Sequence, residues 1–150
     1  MNLFTWANKW GISHDAINDL RFEMGQCEMP QSDPTLNSET GVQTRERLKS
    51  ARAGGLMWRN NVGAMQEDSG RVVRYGLANE SKKMNQQFKS SDLIGITPMT
   101  IGGQTVGIFT AVECKEPNWK YTGTDHEVAQ ARFHSLVLSR GGIAYFTNGS

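Results

Sequence analysis

The sequence has few cysteines and no long apolar segment. Its 150 residues include only two cysteines, Cys27 and Cys114, which are too few for the disulfide framework of a small secreted domain. No apolar stretch approaches the roughly 20 residues of a membrane-spanning helix. The N-terminus also lacks the basic and apolar segments of a signal peptide. These absences predict reduced thiols, a cytoplasmic setting and no membrane partner.

Net charge is almost absent as well, because 16 basic residues face 15 acidic ones. The charges are unevenly distributed, however. Residues 45–89 carry ten basic and four acidic side chains, a net +6, whereas residues 1–40 carry two basic and six acidic ones. A basic middle segment fits either a local phosphate-binding surface or an ordinary solvated face, and charge alone favours neither.

The strongest apolar run covers residues 106–115 and ends in Glu113-Cys114-Lys115. Its β-branched and small apolar residues predict a buried central strand. Because side chains alternate faces along a strand, Glu113 and Lys115 point one way and Cys114 the other. Two charged residues on one face at the end of a buried strand are expected to pair with each other, bind an ion or do chemistry.

Turn and capping residues divide the remainder into short elements. Helices are predicted over about 1–12, 14–24, 38–53 and 125–139. Strands are predicted at 56–60, 92–96, 106–115 and 143–146, with a hairpin over 61–76 and a turn over 97–105. The inward side chains of the last helix are expected to be Val128, Ala131, Phe133, Leu136 and Val137. Glu46, flanked by two arginines, is expected on an exposed face.

This order predicts an α/β fold with a mixed sheet flanked by helices. The final strand–helix–strand unit is expected to join parallel strands. Residues 1–36 form an N-terminal helical extension and linker, in which Trp6 and Trp10 are expected to pack onto the domain or contact a partner. Residues 37–150 form the core domain.

Asp92 opens one predicted strand, and Glu113 and Lys115 close the next, so a hairpin would bring them to one end of the sheet. Mg²⁺ typically takes one or two carboxylates from a protein. Asp92 and Glu113 meet that requirement, and the Cys114 carbonyl is a candidate third ligand. Lys115 would orient the attacking water or stabilise developing charge. Alternatively, an isolated Glu-x-Lys is an ordinary surface ion pair.

Asp92 followed by Glu113-Cys114-Lys115 resembles the PD-(D/E)xK nuclease signature, although Ser91 stands where that signature has proline. Further segments follow in a similar order: Ser38-Glu39, Val42-Gln43, residues 56–63, residues 74–76, residues 90–95, Ala129-Gln130 and Gly141-Gly142. Together they resemble the VRR-NUC (virus-type replication-repair nuclease) family, particularly its small stand-alone phage members, over about residues 38–147.

The resemblance implies a restriction-endonuclease-like fold and phosphodiester hydrolysis that depends on Mg²⁺ or Mn²⁺. Asp92 and Glu113 would be metal ligands, and Lys115 the catalytic lysine. Glu39 matches the family's helix acid, and Gln43 and Gln130 match polar positions near the site. The implied substrate is branched DNA, such as a four-way junction or a flap, in phage replication, recombination or repair. A homodimer acting in the host cytoplasm is also implied.

Several polar side chains of the basic middle segment are candidate DNA contacts that would position phosphates without reading sequence. They are Arg59, Asn60, Asn61, Arg74, Lys82, Lys83 and Lys89. Two alternatives stay open: a monomeric nicking or single-strand nuclease, and a non-catalytic nucleic-acid-binding module. The histidines His14, His126 and His134 are too scattered to predict a zinc site.

Overall fold

The computed structural model describes residues 3–23 and 38–149. The predicted linker over 25–37 lies outside these residues. The described helices are α1 (Leu3–Lys9), α2 (His14–Glu23), α3 (Glu39–Arg52), α4 (Lys82–Gln87) and α5 (Asp125–Leu138). The described strands are β1 (Leu56–Arg59), β2 (Gly63–Gln66), β3 (Val72–Tyr75), β4 (Leu93–Ile101), β5 (Gln104–Cys114) and β6 (Ile143–Thr147). None of these helices is long and apolar enough to span a bilayer.

The main sheet has the strand order β1-β4-β5-β6. β1 pairs antiparallel with β4 and β4 with β5, whereas β6 pairs parallel with β5. The predicted mixed α/β fold, with β5 inside the sheet and parallel to the last strand, is therefore confirmed. β2 and β3 form the predicted hairpin as a separate two-stranded sheet.

β4 is longer than the sequence suggested, and the turn predicted over 97–105 is present but confined to two residues. The strand continues to Ile101, and only Gly102 and Gly103, with φ of 57° and 79°, make the turn to β5. Two consecutive positive φ values are typical of the tight two-residue hairpin turn. Pro98 fits within β4 because β1 pairs with β4 only as far as Ile96, so no neighbouring strand on that side needs an N–H from Pro98.

The prediction that the whole of the 106–115 run is buried holds only for its second half. Residues 110–114 are buried, whereas Val106 and Phe109 are about 40% exposed. The difference follows from the length of the neighbours, because β1 reaches only Ile96 and β6 pairs with β5 only from Thr110 onward. The β4–β5 hairpin therefore extends beyond the sheet as a two-stranded ribbon.

The core lies between α3 and the sheet. Val42 of α3 packs with Met57, Leu93, Val112 and Cys114 in one buried cluster. Cys114 thus points away from Glu113, as the alternation predicts. The Ser38 hydroxyl accepts a hydrogen bond from the Gly41 N–H at 3.1 Å and caps α3.

Glu46 does not lie on an exposed face, contrary to the prediction. Its carboxylate is buried and accepts hydrogen bonds from the Tyr145 hydroxyl at 3.1 Å and the Thr147 hydroxyl at 3.2 Å. Successive helical residues point about 100° apart. The charges of Arg45 and Arg47 are therefore a poor guide to the environment of the residue between them.

The N-terminal helices only partly follow their predicted faces. Ser13 caps α2 by accepting a hydrogen bond from the Ala16 N–H at 3.1 Å, and Ile17 is buried. However, Trp6 and Trp10 are 40% and 64% exposed. Ala7 of α1 is buried. Trp10 is therefore mostly exposed and Trp6 partly covered, and a partner contact of these tryptophans stays a prediction.

Helix α5 presents a different face from the predicted one. Its buried residues are Glu127, Ala129, Gln130, Phe133 and His134. Of the predicted inward side chains only Phe133 is buried, and Leu136 is exposed. The apolar pattern failed here because three of the five buried side chains are polar and find hydrogen-bond partners inside the protein.

Candidate functional site

The pairing of β4 with β5 brings the predicted acidic residues to one edge of the sheet. Leu93 pairs with Val112, so Asp92 lies beside the end of β5. Its Oδ2 accepts a hydrogen bond from the backbone N–H of Cys114 at 2.9 Å. The Lys115 N–H in turn donates to the Thr147 carbonyl of β6 at 2.8 Å. The backbone ladder therefore holds the Asp92 and Glu113–Lys115 positions together.

Lys115, Glu113 and Gln130 form a closed set of hydrogen bonds. The Lys115 ammonium lies 2.9 Å from Glu113 Oε1 and 3.0 Å from Gln130 Oε1. The Gln130 amide nitrogen donates to the same Glu113 oxygen. Glu113 is only 4% exposed. The α5 glutamine thus orients both the charged residues that end β5.

A further side chain, His126, completes this set. The sequence did not suggest a role for it, because the three histidines are far apart along the chain. Its Nε2 lies 3.0 Å from the Gln130 amide nitrogen. An amide nitrogen only donates, so Nε2 must accept, which requires a neutral imidazole. Burial, then the positive charges of Lys89 and Lys115, lower the pKa of His126 and favour that neutral form.

The site carries more negative charge than its lysine balances. Burial, followed by the negative charge of Asp92, raises the pKa of Glu113 from 4.5 to about 7, against the opposing effect of Lys115. Burial and the charges of Asp92 and Glu116 likewise raise the pKa of Glu39, again opposed by Lys115. Glu39 is therefore within electrostatic range of Asp92 and Lys115. Gln43 is half-buried one turn further along α3.

This donor set fits a hard divalent cation. Within residues 3–23 and 38–149, no three His, Cys, Asp or Glu side chains are grouped as metal ligands, as a zinc site would require. Mg²⁺ needs only one or two carboxylates, because water and substrate oxygens complete its shell. Asp92 and Glu113 can supply these, and a cation would offset both causes that raise the pKa of Glu113, its burial and the negative charge of Asp92.

Two of the candidate DNA contacts are occupied inside the protein. Asn60 donates to the Ser90 hydroxyl at 2.8 Å and to the Ser91 carbonyl at 2.9 Å, and so braces the segment before Asp92. Arg74 donates to Asn79 Oδ1 at 3.0 Å. Both residues hold neighbouring segments of the chain in place. For Arg74 the sequence predicted only a DNA contact.

The other candidates remain accessible. Arg59, Asn61, Lys82 and Lys83 are exposed. Lys89 is half-buried, with its ammonium 2.7 Å from Asn85 Oδ1, and its charge affects His126. Lys89 is thus the one basic residue of this group for which an electrostatic effect on the site is found.

A buried histidine, His134, supports the segment before Asp92. Its Nε2 lies 2.8 Å from the Ser91 hydroxyl. Burial, then the charge of Lys115, lowers the pKa of His134 to about 4, so the ring is neutral at physiological pH. His126, Gln130 and His134 recur at intervals of four, which places them on one helical face. That spacing is a signal by which the sequence could have revealed them.

The Cys114 thiol is not a candidate nucleophile. It is fully buried in the core cluster, and burial raises its pKa above the ordinary range.

No family model matches the chain, and no curated protein or solved structure matches it. The geometry of the site therefore carries the functional argument.

Proposed function

We propose that this protein is a metal-dependent endonuclease that hydrolyses phosphodiester bonds in branched DNA, and that its site belongs to the VRR-NUC type of the PD-(D/E)xK nucleases. The observation that carries the proposal is the grouping of Asp92, Glu113, Lys115 and Gln130 at one sheet edge, with Glu39 in electrostatic range. Acids that surround one lysine beside a basic chain segment suit chemistry on a phosphate.

Asp92 and Glu113 would hold Mg²⁺ or Mn²⁺, with the Cys114 carbonyl as the proposed third protein ligand. Such an ion supplies a more acidic bound water and neutralises charge on the phosphate. Lys115 keeps its ammonium within 3.0 Å of two oxygen acceptors, which hold its charge in one position. From there it would stabilise negative charge that develops on a phosphate oxygen. Glu39 would orient the attacking water, and Gln130 would hold Lys115 and Glu113 in register.

DNA would approach the site across its basic surroundings. Lys89 is the predicted contact whose charge affects His126 of the site, while Arg59, Asn61, Lys82 and Lys83 offer exposed polar side chains for further phosphates. Such contacts add affinity that falls steeply with salt. Asn60 and Arg74 would serve this surface indirectly, Asn60 through the Ser91 carbonyl and Arg74 through the Asn79 side chain.

A homodimer is part of the proposal, because two sites would allow cleavage of two strands of a junction. The β4–β5 ribbon supports it by exposing Met99, Ile101 and Val106, which a second copy could cover. Light scattering coupled to size-exclusion chromatography would measure the mass in solution. A mass of one chain at working concentration would contradict the dimer and favour a monomeric nicking enzyme.

Cleavage of labelled duplex, flap and four-way-junction DNA, with Mg²⁺, Mn²⁺ or EDTA, tests the activity. We expect Glu113→Gln and Asp92→Asn each to lower the rate by about 100-fold or more, since even indirect support of a metal ligand is worth about 10- to 100-fold. Glu80→Gln makes the same chemical change at an exposed glutamate and should leave the rate unchanged. Absence of metal-dependent cleavage on every substrate would refute the enzyme and leave a nucleic-acid-binding module.

A further inference from the structure

An aromatic cluster adjoins the proposed reaction centre. The rings of Trp119 and Phe146 stack, with centroids 5.2 Å apart and an interplanar angle of 23°. Tyr121 meets both rings edge-on, at 6.3 Å from Trp119 and 6.1 Å from Phe146. We call Trp119, Tyr121 and Phe146 the aromatic shelf.

The shelf lies on the side of the sheet that carries Glu113. Phe146 of β6 pairs with Glu113 of β5 in the parallel ladder, so both side chains leave the sheet on one face. The Lys115 ammonium is 5.7 Å from the Trp119 ring centroid and 5.9 Å from that of Phe146. The shelf therefore lies directly beside the Lys115 ammonium, through Trp119 and Phe146.

The loop that carries Trp119 and Tyr121 is held in place by hydrogen bonds. The Trp119 indole N–H donates to Glu127 Oε1 at 2.8 Å. The other oxygen of Glu127 accepts from the Thr122 N–H, the Thr122 hydroxyl and the Thr124 N–H, all within 3.1 Å. Thr124 also caps α5 in a reciprocal capping box with Glu127. The loop thus presents its aromatic rings in a defined position.

Tyr121 is the accessible member of the shelf. It is 50% exposed although two aromatic neighbours contact its ring. A ring held on one side and open on another can receive a planar group by stacking. Every nucleobase has such a face, but in a duplex it is covered by the neighbouring base pairs.

We propose that the aromatic shelf binds an unpaired nucleobase next to the phosphate held at Lys115, with Tyr121 as the stacking residue. This inference rests on the proposed nuclease function and narrows its substrate. The preferred DNA carries a single-stranded nucleotide at the cleavage position, as a flap or an open junction does. Stacking of one base on an aromatic side chain changes affinity by roughly 5- to 150-fold.

The test is equilibrium binding in EDTA, measured by fluorescence anisotropy, with the whole chain and two labelled DNAs. One is a blunt duplex, and the other is the same duplex with a single-stranded flap. We expect Tyr121→Ala to weaken flap binding roughly ten-fold and duplex binding hardly at all, and Tyr121→Phe to restore flap binding. The control is Tyr75→Ala on the β2–β3 hairpin, because Tyr75 is also a tyrosine with 50% exposure.

Equal weakening of duplex and flap binding by Tyr121→Ala, or no weakening of either, would overturn the shelf. So would an equal selective loss in Tyr75→Ala. Thermal melting of each variant verifies that it remains folded. The two proposals fail separately. Selective flap binding without cleavage in Mg²⁺ would refute the nuclease and keep the shelf. Cleavage of flap DNA at the same rate by wild type and Tyr121→Ala would refute the shelf and keep the nuclease.

Discussion

Replacing Glu113 with glutamine should stabilise the metal-free protein at alkaline pH but not at acidic pH. Glu113 is 4% exposed, and burial together with the charge of Asp92 raises its pKa from 4.5 to about 7. A carboxyl whose pKa is raised on folding contributes stability that is fully present below pH 4.5 and is lost as pH rises through 7. Glutamine has the same shape and never ionises.

The size of the effect follows from the pKa rise. One pKa unit corresponds to about 1.4 kcal/mol, so the rise of Glu113 corresponds to about 3 kcal/mol over the whole window. Between about pH 5 and about pH 8 the wild type should lose roughly 2.5 kcal/mol that Glu113→Gln keeps. The benefit of the substitution therefore appears only on the alkaline side.

Urea unfolding in EDTA, followed by tryptophan fluorescence, measures the free energy of unfolding at both pH values. At each pH the unfolding free energy of wild type is subtracted from that of Glu113→Gln. The value obtained at about pH 5 is then subtracted from the value obtained at about pH 8. We expect roughly +2.5 kcal/mol. A difference that does not change with pH, or that changes sign, would refute the picture of a buried carboxyl with uncompensated negative neighbours.

Three further predictions concern residues around the site. His134, whose pKa is lowered to about 4, should destabilise the fold as pH falls from about 6.5 through 4, so His134→Asn should flatten acid unfolding measured in urea. His126→Ala should lower cleavage about 10-fold with little change in melting temperature, because it frees the Gln130 amide, whereas Arg132→Ala on the exposed face of α5 should change neither. Gly103→Ala should cost about 1 kcal/mol of unfolding free energy, because φ at this position is 79°; an unchanged urea midpoint would contradict the assigned turn.

The sequence predicted best those features that depend on local pattern. Alternation along β5 correctly separated Glu113 from Cys114, and the glycine pair at 102–103 correctly indicated a turn between adjacent strands. These two features are enough to bring Asp92 beside Glu113. Local chemistry also explains the N-cap residues Ser13, Ser38 and Thr124, because each accepts a hydrogen bond from a donor that a helix start leaves unpaired.

The sequence predicted poorly what depends on distant neighbours. Val106 and Phe109 are as apolar as the buried half of β5, but they are exposed because the adjacent strands end first. Gln130 and His134 are buried although a hydropathy pattern assigns polar residues to the surface. Their burial follows from partners on other elements, Glu113 and Ser91, that only the folded chain brings close.

The hydrogen bond from the Cys114 backbone to Asp92 has a consequence for which substitutions position 114 can accept. The tether uses the peptide group and not the thiol, so chemistry at the site places no demand on the side chain between Glu113 and Lys115. That side chain is constrained by the volume available between Val42, Met57, Leu93 and Val112. Over evolutionary time the middle position should exchange among small apolar residues together with its core neighbours, whereas the proposed chemistry would constrain its two flanking residues.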